Sequence, residues 1–537
     1  MNDSRPSFDL VDSPWIPVRH TSGRVEDVSM ASAFEQAHEI TDLVAEVPTQ
    51  VFALTRLLLA VLHRAVRGPR DIDQWKGMWA TETLPIDDIS TYLDRHRDRW
   101  DLFHPETPFF QIAGLRTAKG EWSDLDRLLA DVPNGHLFFT SRIGAPIRLS
   151  PAEAARWVVH CHAFDPSGIK SGAVGDDRVK SGKGYPIGVG WSGNLGGVLV
   201  TGSTLKETLL LNLRPHTNED DLPPWERPVL GPGEDLPNRP PSGLIDLFTW
   251  QSRRILLRRD GDHVTGVLIA NGDRRTPQNM HPHEPNTAWR RSPAQEKKLG
   301  IGTVYMPLEH RPERDVWRGL QAFLPEATTA AGADRLPPQV MEWVAELTRR
   351  KILPRTFPLG LRTIGVVYGS QQSVITEVVD DAISMRAVLL AQDAHRLLAV
   401  VKESVSAAEA TAAAVGRLAS DLAVAAGSRE TDGHRARAAE STYSALDPLF
   451  RDWLAGLGPD SDPDDRAGIW HQEARIAAWE IADRLLASAP MAAWVGRPSN
   501  GKLITSTHAR SWFAAAVRKA LPRAHVRSEH NAEGTTS

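Results

Sequence analysis

A single cysteine, Cys161, stands in a chain of 537 residues. An internal disulfide framework is therefore excluded, and the usage fits a reducing compartment. Long apolar runs are missing too: nowhere do about 18 uncharged apolar residues follow one another, the length that a membrane span needs. The opening residues MNDSRPSFDL carry acid and have no apolar core. No secretory leader is expected from them, and the reading is a cytoplasmic protein with no membrane partner. Net positive charge is also absent. The balance of −5 excludes a globally basic nucleic-acid coat but leaves room for a local positive face.

Catalytic and metal signatures are equally scarce. No His-Glu zincin motif and no nucleophile elbow occurs. GRPSNGKL, residues 496–503, has phosphate-loop spacing through Gly501 and Lys502, but Leu503 stands where a Ser or Thr would hold magnesium, and no strand is expected to lead into it. HCHAF places His160 and His162 either side of Cys161, and HPHEP places His281 and His283 two apart. Read as strands, neither pair has the second pair of ligands that a structural zinc site requires. DSDPDD lacks the central glycine of a calcium loop and reads as a helix cap. The expectation is a binding protein rather than an enzyme, without cofactor or metal.

What is present falls into two textures. Residues 1–370 mix short strand-like runs such as GVLVTGS with short helical runs, and proline and glycine crowd residues 221–242 into a long surface loop. From about 374 the chain becomes alanine-rich. Val379, Ile383, Ala387, Leu390, Ala394 and Leu397 recur at three and four residues and predict one face of a long helix. Further helices are expected over about 405–426, stopped by Gly427, over 434–457 with Pro448 as a kink, and over 464–489, with a shorter segment around Trp512 and Phe513. The fold class is thus α+β: a large mixed N-terminal globular domain over 1–370, then a C-terminal four-helix bundle over 374–522 and a disordered tail over 523–537. Seventeen tryptophans suggest a large aromatic-rich core or interfaces.

The stretch SGIKSGAVGDDRVKSGKGYP, residues 167–186, holds five glycines and four basic side chains. Such a mixture suits phosphates, because amides can approach closely and cationic tips can reach. Residues 251–300 add ten Lys and Arg against five Asp and Glu. A nucleotide-binding enzyme using the Gly/Lys loop at 167–186 is one reading, although the spacing fails and Asp176 and Asp177 would repel a triphosphate. A nucleic-acid subunit and a bundle-bearing scaffold are the others.

Four segments decide among them. FDLVDSPWIPVRHTSGRVEDVSM at 8–30, HPETPFFQIAGL at 104–115, GGVLVTGSTLKETLLLNL at 196–213 and VVYGSQQSVITEV at 366–378 occur in this order ahead of the helical third. Together they resemble the large subunit of the type I-E CRISPR Cascade complex, the CasA family. The resemblance implies a DNA-binding subunit of an RNA-guided antiviral complex. Such a subunit recognises the protospacer-adjacent motif (PAM) in double-stranded DNA, promotes strand separation and R-loop formation, and recruits a helicase–nuclease. Its partners would be target DNA, the CRISPR RNA and the other Cascade subunits. It further implies a glutamine wedge at Gln372 flanked by Gln371, and a PAM-reading glycine loop at Ser167 and Gly168 with Lys170, or else in the stretch ending at Lys180. Arg274 and Arg275 would stand where the family places a minor-groove lysine. A loop containing Phe138, Phe139 and Thr140, with Phe138 favoured, would meet the RNA-bearing part of the complex. Some relatives carry a cysteine cluster that this chain lacks, so no zinc is expected.

Overall fold

The computed structural model describes residues 7–130, 146–325, 332–499 and 502–525. Two units emerge. One comprises Met1–Arg314, Ala322–Val344 and Gly360–Ala382; the other comprises Asp315–Gln321, Ala345–Leu359 and Ile383–Ser537.

The first unit opens with an antiparallel sheet in which β1 (Ile16–His20) lies between β2 (Val25–Val28) and β3 (Ile40–Leu43). Ile16, Val18 and His20 alternate inward along β1, the period of a half-buried strand. Next comes α1 (Pro48–Ala65), apolar nearly all round and buried from Thr49 to His63, which makes it the central core helix. α2 (Ile86–Arg95) is amphipathic and buries only Ile89, Tyr92 and Leu93. α3 (Pro151–Phe164) starts at a capping box, Ser150 with Glu153, and has proline at its first turn. Two short strands, β4 (Lys170–Ser171) and β5 (Lys183–Gly184), form a ribbon. β6 (Gly197–Thr201) follows, and then the long hairpin of β7 (Arg253–Asp260) and β8 (His263–Asn271). A second hairpin, β9 (Pro358–Tyr368) and β10 (Ile375–Arg386), joins β6 in the order β10-β9-β6.

A bidentate ion pair lies in this core. Arg56 on α1 holds both carboxylate oxygens of Glu284 at 2.8 Å, and Glu284 also accepts from the Trp191 indole at 2.7 Å. Arg56 is 0 % and Glu284 0 % exposed. The HPHEP motif is thus built around its buried acid, while His281 packs edge-on against Trp289 and Tyr305.

The second unit is helical. α4 (His395–Ala426), α5 (Asp432–Ala455), α6 (Pro463–Ala487) and α7 (Ser506–Ala520) are its long helices, and α4 packs against each of the other three. Alanine lines much of the buried face of α4 and lets its neighbours come close. Gly416 marks one close approach, since a Cβ there would stand 2.9 Å from the Arg435 carbonyl. Gly427 ends α4 in the left-handed conformation at φ 99°, and Asp462 caps α6 by accepting from the amides of Asp464 and Asp465. Trp317, Phe450, Trp453 and Trp470 form an aromatic cluster inside this unit.

Two local expectations are corrected, from Val379 onward and at HCHAF. The helix read from Val379 is instead strand β10, because Ile375, Thr376, Val378, Val379 and Ile383 are β-branched and suit a pleated surface. Its inward residues, Ile383 and Met385, alternate with period two. The bundle therefore begins at His395 and takes α7 as its fourth helix. HCHAF lies on helix α3, not on a strand. In GRPSNGKL the strand β11 (Arg497–Ser499) pairs antiparallel with β12 (Lys502–Ile504), so Lys502 lies on a strand and not at the start of a helix as a phosphate loop requires, in line with the expectation that the motif is not a nucleotide site. Among the described residues no helix is long and apolar enough to cross a membrane, and no three His, Cys, Asp or Glu side chains gather to hold a metal ion.

Candidate nucleic-acid interface

α3 ends at Phe164, and the chain turns through Asp165-Pro166-Ser167-Gly168 before β4. This turn has little regular structure of its own, so its backbone needs outside partners. Arg253, at the start of β7 and 1 % exposed, supplies them. Its guanidinium binds the Asp165 carboxylate and donates to the carbonyls of Asp165 at 3.2 Å, Pro166 at 3.1 Å and Gly188 at 2.8 Å. Lys170 Nζ meets the same carboxylate at 2.6 Å. Burial pushes the Asp165 carboxyl up, and Lys170 and Arg253 more than offset it, holding it below the usual carboxylate range. From the other side the Tyr368 hydroxyl donates to the Phe164 carbonyl at 2.7 Å. Gly193 admits that ring, since a Cβ there would fall 2.1 Å from the Tyr368 hydroxyl.

Tyr368 ends β9 and opens the tip that carries Gln371 and Gln372. Both glutamines are exposed and both have φ 56°, a left-handed conformation that costs roughly 1–2 kcal/mol in a residue with a Cβ. The tip is closed by the Gln372 amide on the Gly369 carbonyl and the Gly369 amide on the Val374 carbonyl, each at 2.9 Å. One bond then joins the two features: the Ser167 amide donates to the Gln372 carbonyl at 2.8 Å. Gly168, beside it, has φ 154° and open space where a Cβ would stand. The sequence places these segments some two hundred residues apart; the fold brings them into contact.

The rest of the glycine-rich stretch is folded and cross-linked. Lys180 and Lys183 close a tight turn whose central residues, Ser181 at φ 51° and Gly182 at φ 74°, are both left-handed. Arg178 grips Asp176 through both oxygens at 2.9 and 3.1 Å and donates to the carbonyls of Gly272 and Asn271. Asp176 is therefore an internal partner, not a free charge. Arg254, 0 % exposed, pairs with Asp273 at 2.6 Å and holds the carbonyls of Gly231 and Gly233 in the proline-rich loop.

The candidate side chains thus have different surroundings. Gln371, Gln372, Lys180 and Arg274 are exposed, and Lys180 shares the ribbon tip with Lys183. Lys170 is engaged by Asp165, and Arg275 is half-buried and donates to the Arg239 carbonyl at 2.8 Å. Phe138, Phe139 and Thr140 lie outside the described residues. Of the basic run at 251–300, Arg253 and Arg254 are interior and Arg259 stacks on Phe103, so the local excess of positive charge overstates the free surface charge. His160 bonds Thr49 Oγ1 at 2.8 Å and His162 bonds the Phe110 carbonyl at 2.9 Å; burial pushes them down to about 3 and about 4. They are packed core groups, as is the buried Cys161 thiol, which burial pushes up. Sequence reasoning missed Asp165, Arg253, Tyr368 and Glu284. Asp-Pro-Ser-Gly after a helix does signal a turn, but nothing in the sequence marks Arg253 as its anchor.

The profile of the family described as CRISPR-associated protein Cse1 matches residues 9–484. The chain belongs to this family. A crystal structure of Cse1 from Thermobifida fusca is similar at 46 % identity, covering 98 % of this chain and 100 % of that one, with a TM-score of 0.90. A curated CasA/Cse1 protein of Thermus thermophilus is 37 % identical over 327 residues, 60 % of this chain, which there spans 61 % of the relative's length. A chain of a CRISPR RNA-guided surveillance complex shares the fold at 22 % identity and a TM-score of 0.66, covering 90 % of this chain and 99 % of that one. In this Cse1-family chain the four segments noted at the outset all lie in the first unit. The last of them forms the glutamine-bearing tip.

Proposed function

We propose that this Cse1-family chain is the DNA-reading subunit of a CRISPR RNA-guided surveillance complex. It recognises a PAM in duplex DNA, starts strand separation and offers a landing surface for a helicase–nuclease, while the RNA reads the target sequence. The observation that carries this reading is the bond between Ser167 and Gln372, which sets a side-chain-free Gly168 beside two exposed, strained glutamines. Bare backbone can approach the shallow code of a minor groove, and a polar wedge beside it can enter the neighbouring base step and bond the edges it exposes. Strained left-handed residues persist where the surroundings over-determine them, as Tyr368, Arg253 and the closed tip do here. Lys180, Lys183 and Arg274 meet phosphates in this reading, whereas Lys170 holds the loop in shape. The subunit works by binding and has no reaction of its own.

The test uses the reconstituted complex with duplex targets carrying correct or scrambled PAMs, and with a target opened beforehand at the PAM-proximal end. Gln372→Ala lowers the rate of strand opening on the duplex at least tenfold, on the order of 1.4 kcal/mol, and leaves the pre-opened target unaffected. Equal losses on both targets would overturn the wedge assignment.

A further inference from the structure

A polar cavity opens in the first unit, built by the end of α1, by α2 and by the segment 216–226. Its volume is about 480 Å³, within the range of small-ligand sites. Gly68 turns the chain sharply after α1, and a Cβ there would fall 2.4 Å from the Arg70 amide nitrogen. On one wall Arg64 holds both oxygens of Glu226 at 2.6 and 2.7 Å, and Glu226 also accepts from the Tyr92 hydroxyl. That wall is internally satisfied.

The remaining lining is not. Arg67, Arg70 and Arg95 stand exposed around it, and among the described residues none of the three makes an ion pair. Glu219 is the exposed acid of the lining. His63, 2 % exposed, lies deeper. Its Nδ1 stands 2.7 Å from the Gly68 carbonyl and must donate to it, so its Nε2 is left as a bare acceptor, buried without a partner. Burial, with His216 nearby, pushes His63 down to about 3, so this acceptor persists at neutral pH. His216, whose Nε2 lies 2.8 Å from the Asp221 carboxylate, packs edge-on to His63 and leaves that acceptor unpartnered.

Unpaired guanidinium groups call for an oxyanion with several acceptor oxygens, and the bare imidazole nitrogen calls for a hydroxyl or N–H donor. We propose that this cavity binds a nucleotide, with its phosphate on Arg67, Arg70 and Arg95 and a hydroxyl or amine of its nucleoside on His63 Nε2. Inorganic phosphate lacks the nucleoside, and an unphosphorylated nucleoside lacks the anion. A free nucleotide and the terminal nucleotide of a strand share this chemistry.

Calorimetric titration of the full-length chain with adenosine 5′-monophosphate, adenosine, inorganic phosphate and a 5′-phosphorylated RNA hexamer tests the proposal. The monophosphate binds, and adenosine and phosphate each bind at least about tenfold more weakly. Arg67→Ser with Arg95→Ser, both at the surface, weakens the monophosphate about tenfold and leaves adenosine unchanged. His63→Asn weakens the monophosphate and adenosine alike. A hexamer about tenfold tighter than the monophosphate identifies a strand end as the occupant; a hexamer no tighter identifies a free nucleotide. No saturable binding of monophosphate or hexamer at about 1 mM, or binding unchanged in the double arginine variant, overturns the proposal.

Discussion

Around Asp165 the first unit buries a carboxylate between Lys170 and Arg253, whereas α4 of the second unit fills its interior with alanine, valine and leucine. Arg56 with Glu284 and Arg254 with Asp273 repeat the first pattern; Gly416 and the cluster around Phe450 repeat the second. The contrast follows from what each unit must hold. Irregular loops present carbonyls that need directional donors, and a buried arginine can serve several at once. Helices satisfy their own backbones and need only shape. Directional anchoring fixes a loop's position, and it makes that unit depend on charge state.

The largest consequence is a difference in acid sensitivity. In the first unit His63, His160 and His162 are held neutral, at about 3, 3 and 4, chiefly by burial. In the second unit His471 is pushed down to about 4 by burial and by Arg523. A depressed folded pKa gives stability that is full above the unfolded value near 6.5 and is lost as pH falls towards the folded value. Between pH 7 and pH 5 the first unit therefore loses up to about 5 kcal/mol and the second about 2 kcal/mol, measured by hydrogen exchange resolved by segment. Equal slopes in the two units would erase the distinction.

Next in size is Arg253→Met, which leaves the buried Asp165 carboxylate to Lys170 alone and three carbonyls without their donor, and costs about 4 kcal/mol in the first unit. Adding Asp165→Leu recovers most of that stability in chemical denaturation. Within the proposed function it leaves recognition of the PAM-bearing duplex impaired, because the carbonyls of Pro166 and Gly188 stay unheld. In the bundle, Leu446→Ala opens a cavity and costs about 3 kcal/mol, with the same loss at pH 5 and pH 7. The smallest effect belongs to the tip: Gln371→Gly removes left-handed strain and raises stability by about 1 kcal/mol in the same denaturation experiment. A loss there would show that the Gln371 side chain holds the tip.

Which parts could be read from sequence follows the same contrast. The later part of α4 and the helices α5 and α6 are legible because their apolar stripes, the Gly427 stop of α4 and the acidic cap of α6 report on one element at a time. β10 misled because residues four apart satisfy a helical stripe and also an even-numbered strand spacing, and only β-branching and the paired strand β9 decide between them. The glutamine pair was visible through the family resemblance. Its contact with Ser167 was not, since a backbone bond between distant segments leaves no mark on side-chain identity. The acid Asp176 looked like a free charge because its partner Arg178 is assigned by the fold alone, as Arg253 is for Asp165.

That backbone bond has a consequence for how the family can vary. It links main chain to main chain, so side chains at 167 and 372 can change without breaking it, and proline at 167 is the substitution that deletes its donor. Gly168 and the Gln372 side chain are in this way set like the two jaws of a fixed caliper, with the gap preserved while the jaws are re-cut. Insertions beyond β4, in the ribbon turn around Ser181, leave the gap unchanged; one residue added between Asp165 and Gly168 resets it. Within the proposed function, length in that short turn is inherited strictly and composition is free to drift.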